Sequence, residues 1–184
     1  GLGYLYTVVL AGLSVYAIHV LLLIILFLKH RLDPQKAAPT VSPEDLPTVT
    51  VQIPLRNERY VVHRVLNATA ALDWPQDRLE IQVLDDSDDA TTSIARAIAS
   101  KLCQQGVDIQ VLHRDQAQGN KAGALAAGLQ KARGEFIAIF DADFCPKVDF
   151  LQQTVPHFLD APGLGMVQAR WGHLNAEYSP ITRA

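Results

Sequence analysis

Cysteine is nearly missing from this 184-residue sequence. Cys103 and Cys145 lie far apart, with no Cys-x-x-Cys or Cys/His zinc spacing, a pattern that fits a reducing compartment and no structural metal. A basic excess is missing too. Sixteen Lys and Arg against nineteen Asp and Glu leave a formal charge of −3, so no positive field argues for nucleic acid. The six histidines are scattered and form no ligand pair at helical spacing. Internal repeats and low-complexity tracts are absent. The length suffices for one membrane segment plus one domain with a sizeable core, and is too short for two such domains.

Charge is also absent from Tyr4 to Leu28, a run that as a helix spans about 37 Å at 1.5 Å per residue. The expectation is a transmembrane helix over residues 4–28 following a short end at 1–3, which makes the lipid bilayer a partner. Tyr4 and Tyr6 sit where interfacial aromatics are favoured. Lys29-His30-Arg31 follows at once, which by the positive-inside bias places the remainder in the cytoplasm. A cleaved signal peptide wants a basic leader and a shorter apolar core, and neither is present. His19, the one ionisable side chain inside the run besides its tyrosines, has no acidic partner in the segment and reads as a neutral imidazole bonded to a neighbouring helix. Residues 29–47 read as a basic, then Pro-rich linker, since Pro34, Pro39, Pro43 and Pro47 deny the backbone regular hydrogen bonding.

A folded domain is expected over 48–184. Short apolar runs at Val49–Ile53, Leu79–Leu84, Ile109–Leu112, Glu135–Phe140 and Gly165–Ala169 alternate with helical periods at Arg59–Ala71, Thr91–Gln105, Lys121–Arg133 and Phe150–Leu159. This βαβα order implies a parallel sheet covered by helices, with Gly106 and Gly134 closing two of the helices.

In open α/β sheets ligands gather outside the carboxyl ends of the strands, and here those ends are acidic. Leu79–Leu84 runs into Asp85-Asp86-Ser87-Asp88-Asp89, too much negative charge for one sheet edge without donors or a cation to offset it. Asp88 or Asp89 reads as a cap for the next helix, and Asp86 as a base-binding residue. Phe136–Phe140 is fully apolar and reads as a buried strand, ended by Asp141-Ala142-Asp143. Carboxylates at i and i+2 can share one hard cation, Mg²⁺ or Mn²⁺, whose shell is completed by phosphate oxygens and water. Between the clusters, Asn120-Lys121-Ala122-Gly123-Ala124-Leu125 opens a small-residue helix whose lysine and free amides suit an anion.

These segments resemble the nucleotide-sugar domain of the inverting family 2 glycosyltransferases, in particular their cellulose synthase-like, glucomannan mannosyltransferase-like branch. The blocks that carry the resemblance are Val51-Gln52-Ile53-Pro54 with Asn57-Glu58, Gln82–Ser87, Lys121–Leu125, Phe140–Phe144 and Val167-Gln168-Ala169-Arg170-Trp171. It covers about Thr48 to the end. The resemblance implies a GT-A fold, a Rossmann-like, mainly parallel sheet with flanking helices. It also implies an inverting, membrane-bound hexosyltransferase that uses a UDP- or GDP-sugar donor and a glycan acceptor of the β-glucan or mannan type. By position, Pro54, Arg56 and Glu58 would line the nucleoside pocket and Asp86 would accept from the base. Lys121 would lie by the diphosphate and sugar, Asp141 by ribose and metal, and Asp143 would be the principal metal ligand. Leu55-Arg56 departs from the family, which usually has a hydroxyl or aromatic residue before Asn-Glu; a guanidinium can also stack on a base.

The family's catalytic base lies in a later Glu-Asp motif, and its acceptor motif Gln-x-x-Arg-Trp also lies later. Both are therefore expected beyond Ala184, and the sequence, opening on Gly1, reads as a segment of a longer protein. Two rivals stand beside this reading. An aspartyl-nucleophile phosphatase expects its Asp-x-Asp on the first strand with Thr or Val after it, whereas Phe144 follows here. A membrane-tethered α/β module binding nucleotides or a partner protein is the other. The sequon Asn67-Ala68-Thr69 lies on an expected cytoplasmic helix and is expected to stay unglycosylated.

Overall fold

The computed structural model describes residues 1–30, 39, 41–115, 118–169, 172 and 178. Arg31, Pro34 and most of the linker, and Arg170-Trp171 of the last family block, lie outside the described residues. The chain forms two compact units, 1–37 and 38–184.

The first unit is one helix, α1 (Leu2–His30), slightly longer at both ends than the charge-free run. Within Leu2–Lys29 an 18-residue stretch has a mean hydropathy of 2.6, none of it is buried within the protein, and the helix is long and apolar enough to cross a bilayer.

The second unit holds a four-stranded, all-parallel sheet of β1 (Val49–Leu55), β2 (Leu79–Asp85), β3 (Ile109–His113) and β4 (Phe136–Ile139), in the order β3-β2-β1-β4. Helices α2 (Val62–Ala70), α3 (Thr91–Gln104) and α4 (Asn120–Leu129) make the crossovers. Alternation along the strands divides the sheet into two unlike faces. Val49, Val51, Ile53 and Leu55 with Ile81 and Val83 form the dry core beneath Val62, Val65 and Leu66 of α2 and Ala95, Ala99 and Leu102 of α3. On the other face Thr50, Gln52, Glu80 and Gln82 are polar yet buried. Glu80 accepts from Thr50 (2.6 Å), Gln110 (3.0 Å) and both the backbone and Nε of Arg133 (2.9 and 3.1 Å), so its lone pairs are spent inside the protein.

Glycine permits two close approaches on this face. A Cβ on Gly128 would lie 2.7 Å from Leu84 Cδ2, so α4 packs directly onto β2. A Cβ on Gly134 would lie 2.2 Å from the Thr50 amide. Gly134 is therefore not a helix terminator as expected: α4 stops at Leu129, and the lack of a side chain lets the glycine's own amide donate to Thr50 Oγ1 (2.8 Å). Gly106, at φ 91°, does follow the end of α3. Gly134→Ala should destabilise the fold by about 2 kcal/mol or more, because backbone rather than a side chain must give way; chemical denaturation would measure it.

Three other expectations change. Phe150–Leu159 is broken into α5 (Phe150–Thr154) and α6 (Pro156–Asp160), where Pro156 removes a backbone donor. β4 is an edge strand and not fully buried: Ile139 is 50% exposed, since no described residue pairs with its outer side. Gly165–Ala169 forms no strand; it lies across a hollow of about 640 Å³ along that edge, lined by Phe136, Phe150 and Phe158. The last part of the linker is docked: Arg78 donates to the carbonyls of Glu44 and Leu46, and Trp74 Nε1 to Pro47 (3.2 Å).

Candidate active site

From β1 the chain winds outward through β2 to β3 and then crosses to β4 on the other side. The loops leaving β1 and β4 therefore diverge, and a crevice opens at the carboxyl ends of the strands. A cleft of about 390 Å³ occupies that place, lined by Pro54, Arg56, Glu58, Asp86, Asn120, Lys121, Asp141 and Asp143, with Leu55, Ala124 and Ala142 as apolar walls. All seven residues singled out in the sequence thus meet in one cleft, although four separate chain segments supply them.

Polar ties hold these segments together. Lys121, in the first turn of α4, ion-pairs with Asp141. Arg56 Nη1 donates to Asn120 Oδ1 (3.1 Å). Arg64 Nη2, from α2, donates to the main-chain oxygen of Asp143 (3.1 Å), while the Asp143 side of the loop is exposed to solvent. Phe144 N closes a turn onto Asp141 O (2.9 Å), and Phe140, Phe144 and Phe150 stack with centroids 5.0–6.1 Å apart. This apolar backing anchors Asp141-Ala142-Asp143 while both carboxylates stay at the cleft.

The sequence reading omitted Arg114. It clamps Asp86 with Nε on one carboxylate oxygen (2.7 Å) and Nη2 on the other (2.5 Å), and reaches the carbonyls of Gln118 (3.2 Å) and Asn120 (3.3 Å). The hydrogen bonds to Asp86 raise the Arg114 pKa above the ordinary arginine value. Asp86 thus meets any ligand with each oxygen already holding one donor, leaving its remaining lone pairs for a base. The signal available was the excess of acid after β2, which required a cation. Gly123 makes room for this loop, since a Cβ there would lie 2.0 Å from Gln118 O.

Asp85 has a different task. Fully buried at the end of β2, it accepts from Thr92 Oγ1 (2.6 Å) and Ser87 N (3.1 Å) and contacts His113 Nδ1 (2.8 Å). Burial pushes its carboxyl up, but the hydrogen bonds from Thr92, Ser87 and His113 outweigh burial and hold it below the usual value. Asp89 takes the capping role, accepting from Thr91 N (2.8 Å). Thr69 of the sequon is fully buried on α2, so its hydroxyl is not displayed at the surface.

No described cluster of three or more His, Cys, Asp or Glu side chains could enclose a metal on its own. Two carboxylates flanking a buried Ala142 at the mouth of a cleft nonetheless fit a hard divalent ion that completes its shell from a ligand and water.

A parallel sheet with its cleft at the switch point, combining paired carboxylates with a helix-borne lysine, defines a class: α/β domains of GT-A architecture. Within that class the chain belongs to glycosyl transferase family 2, whose profile it matches over residues 50–181. It is 45% identical over 141 residues to glucomannan 4-beta-mannosyltransferase 9 of Arabidopsis thaliana, covering 74% of this chain and 26% of that protein. It is 44% identical over 144 residues to glucomannan 4-beta-mannosyltransferase 1 of Cyamopsis tetragonoloba, covering 74% of this chain and 27% of that protein. The chain therefore spans about a quarter of the length of these relatives. Among solved structures it is similar to a mannosyltransferase from Pyrobaculum calidifontis in complex with GDP-Man and Mn²⁺. The TM-score is 0.67 and the identity 28%, covering 81% of this chain and 43% of that one. A second neighbour is glucosyl-3-phosphoglycerate synthase from Mycobacterium tuberculosis with Mn²⁺, UDP and phosphoglyceric acid. There the TM-score is 0.51 and the identity 26%, covering 68% of this chain and 46% of that one.

Proposed function

We propose that this chain is the donor-binding part of a membrane-bound inverting hexosyltransferase, which moves mannose or glucose from a nucleotide diphosphate sugar to a glycan acceptor of the β-mannan or β-glucan type. The observation that carries the reading is the convergence of Pro54, Arg56, Glu58, Asp86, Lys121, Asp141 and Asp143 on one cleft at the sheet's switch point. The relatives named as mannosyltransferases and the neighbour solved with GDP-Man favour mannose on GDP among the donors.

In this reading Asp86, oriented by Arg114, accepts the N–H groups of the base, and Pro54, Arg56 and Glu58 wall the nucleoside. Lys121 and the first amides of α4 face the diphosphate, where positive charge stabilises the leaving group as its bond to the sugar breaks. Asp143 and Asp141 would hold a divalent ion, Mn²⁺ or Mg²⁺, which when bound supplies further charge neutralisation at the diphosphate. Mn²⁺ in both neighbouring structures supports a divalent metal. The acceptor hydroxyl attacks the anomeric carbon from the face opposite the nucleotide and gives its proton to a general base. The apolar α1 and its basic flank support a bilayer anchor with the domain on the cytoplasmic side.

A thermal-shift panel on the full-length enzyme tests the donor reading. GDP-mannose with Mn²⁺ should raise the midpoint by several degrees, UDP-glucose should do so less, and neither should act after chelation. A flat response to every nucleotide sugar would overturn it.

A further inference from the structure

Asn57 has a left-handed backbone, φ 59°, between Arg56 and Glu58, and its own side chain is not among those lining the cleft. Such a conformation costs most side chains energy but is tolerated by asparagine, so the site has been built around this residue type. Its backbone amide and its side chain both reach across to the loop after β2. The backbone amide donates to Ser87 Oγ (2.9 Å), Nδ2 donates to Asp88 Oδ1 (2.9 Å), and Oδ1 accepts from Asp88 N (3.1 Å).

This clasp has a fixed foundation. Ser87 is buried and donates its own amide to Asp85, whose carboxylate is fully enclosed and anchored to Thr92 and His113. Rigidity therefore passes from the sheet through Asp85 and Ser87 to Asn57. The two loops joined in this way supply Arg56 and Glu58 on one side and Asp86 on the other. At the base of the strands, Asp86 N also donates to Leu55 O (2.9 Å), which leaves the outer parts of the two loops to the clasp.

We infer that Asn57 is a positioning residue for donor binding, its side-chain amide fixing the spacing between the nucleoside wall and the base-accepting Asp86. The inference rests on the cleft being the donor site. A group that sets pocket width contributes equally to ground state and transition state, so its loss raises KM and spares kcat. Pre-organisation of this kind is lost when the Asn57 amide is removed and weakened when only the Asp88 carboxylate is.

The test uses full-length enzyme with GDP-mannose and, in parallel, UDP-glucose. Asn57→Gly keeps the left-handed backbone accessible and removes both side-chain bonds of the clasp; Asp88→Ala removes only the bond from Asn57 Nδ2, since the Asp88 backbone amide can still donate to Asn57 Oδ1. Asn57→Gly should raise the donor KM about tenfold with kcat within about threefold, Asp88→Ala should raise KM by less, and the double variant should match Asn57→Gly, since the bond lost in Asp88→Ala is already gone there. An unchanged KM in both variants, a loss confined to kcat or thermal midpoint, or strictly additive effects would overturn the inference. Asp86→Asn is measured alongside. If it too binds donor like wild type, the donor-site reading falls and the inference with it; if it weakens binding while the clasp variants do not, the inference alone falls.

Discussion

Asp143→Ala in the full-length enzyme is expected to cut metal-dependent sugar transfer about a thousandfold while leaving the protein folded. Its carboxylate is exposed at the cleft and contributes nothing to the core, whereas the neighbouring Ala142 and Phe140 are buried. Loss of activity should therefore come without loss of thermal stability, and Mn²⁺ affinity in the presence of nucleotide should fall in step. Wild-type turnover in this variant would sink the assignment of Asp143 as a metal ligand. A covalent phospho-aspartate trapped at Asp141 or Asp143 would instead favour the phosphatase chemistry weighed from the sequence.

The opposite behaviour is expected of Glu80. Only 4% exposed, it gathers Thr50, Gln110 and Arg133, and Arg133 pairs in turn with Asp108. Glu80→Ala leaves the buried Thr50 hydroxyl and the partly buried Gln110 amide and Arg133 backbone N–H without this acceptor, and should cost about 3 kcal/mol, seen as a fall of about 10 °C in the unfolding midpoint. Burial pushes the Glu80 carboxyl up, but the hydrogen bonds from Thr50 and Arg133 and the Arg133 charge more than offset it, leaving the pKa lowered. The sign follows from that direction. The folded state favours the ionised form, so this contribution is complete above the ordinary glutamate value and is lost as pH falls through the lowered folded value. The difference in stability between wild type and Glu80→Gln should therefore narrow in acid, and a difference that widened there would contradict the network.

Much of this was legible in the sequence because period and composition report the strands directly. Val49–Ile53, Leu79–Leu84 and Ile109–Leu112 lie within observed strands, and the acidic residues that end two of the apolar runs do come together. What escaped was everything decided by a partner distant in sequence. Nothing local in the sequence marks Arg114, and only the fold brings its guanidinium onto Asp86. Gly134 looked like a helix end, since nothing local announces that its Cα presses on Thr50. The apolar run of β4 suggested full burial, but burial of a strand depends on neighbours on both sides, and one side has none among the described residues. Gly165–Ala169 has strand-like composition and, among the described residues, no neighbouring strand to pair with.

The division of labour along the strands has a further consequence. Glu80 and Arg133 cluster where β2 begins, and Asp86 stands just past its other end, about 20 Å away at 3.3 Å per residue. Substitutions at such separations act independently. If the cleft binds an activated sugar as proposed, its residues can thus be exchanged to suit a different one without loosening the scaffold, and variation at the far end can adjust robustness without altering the cleft.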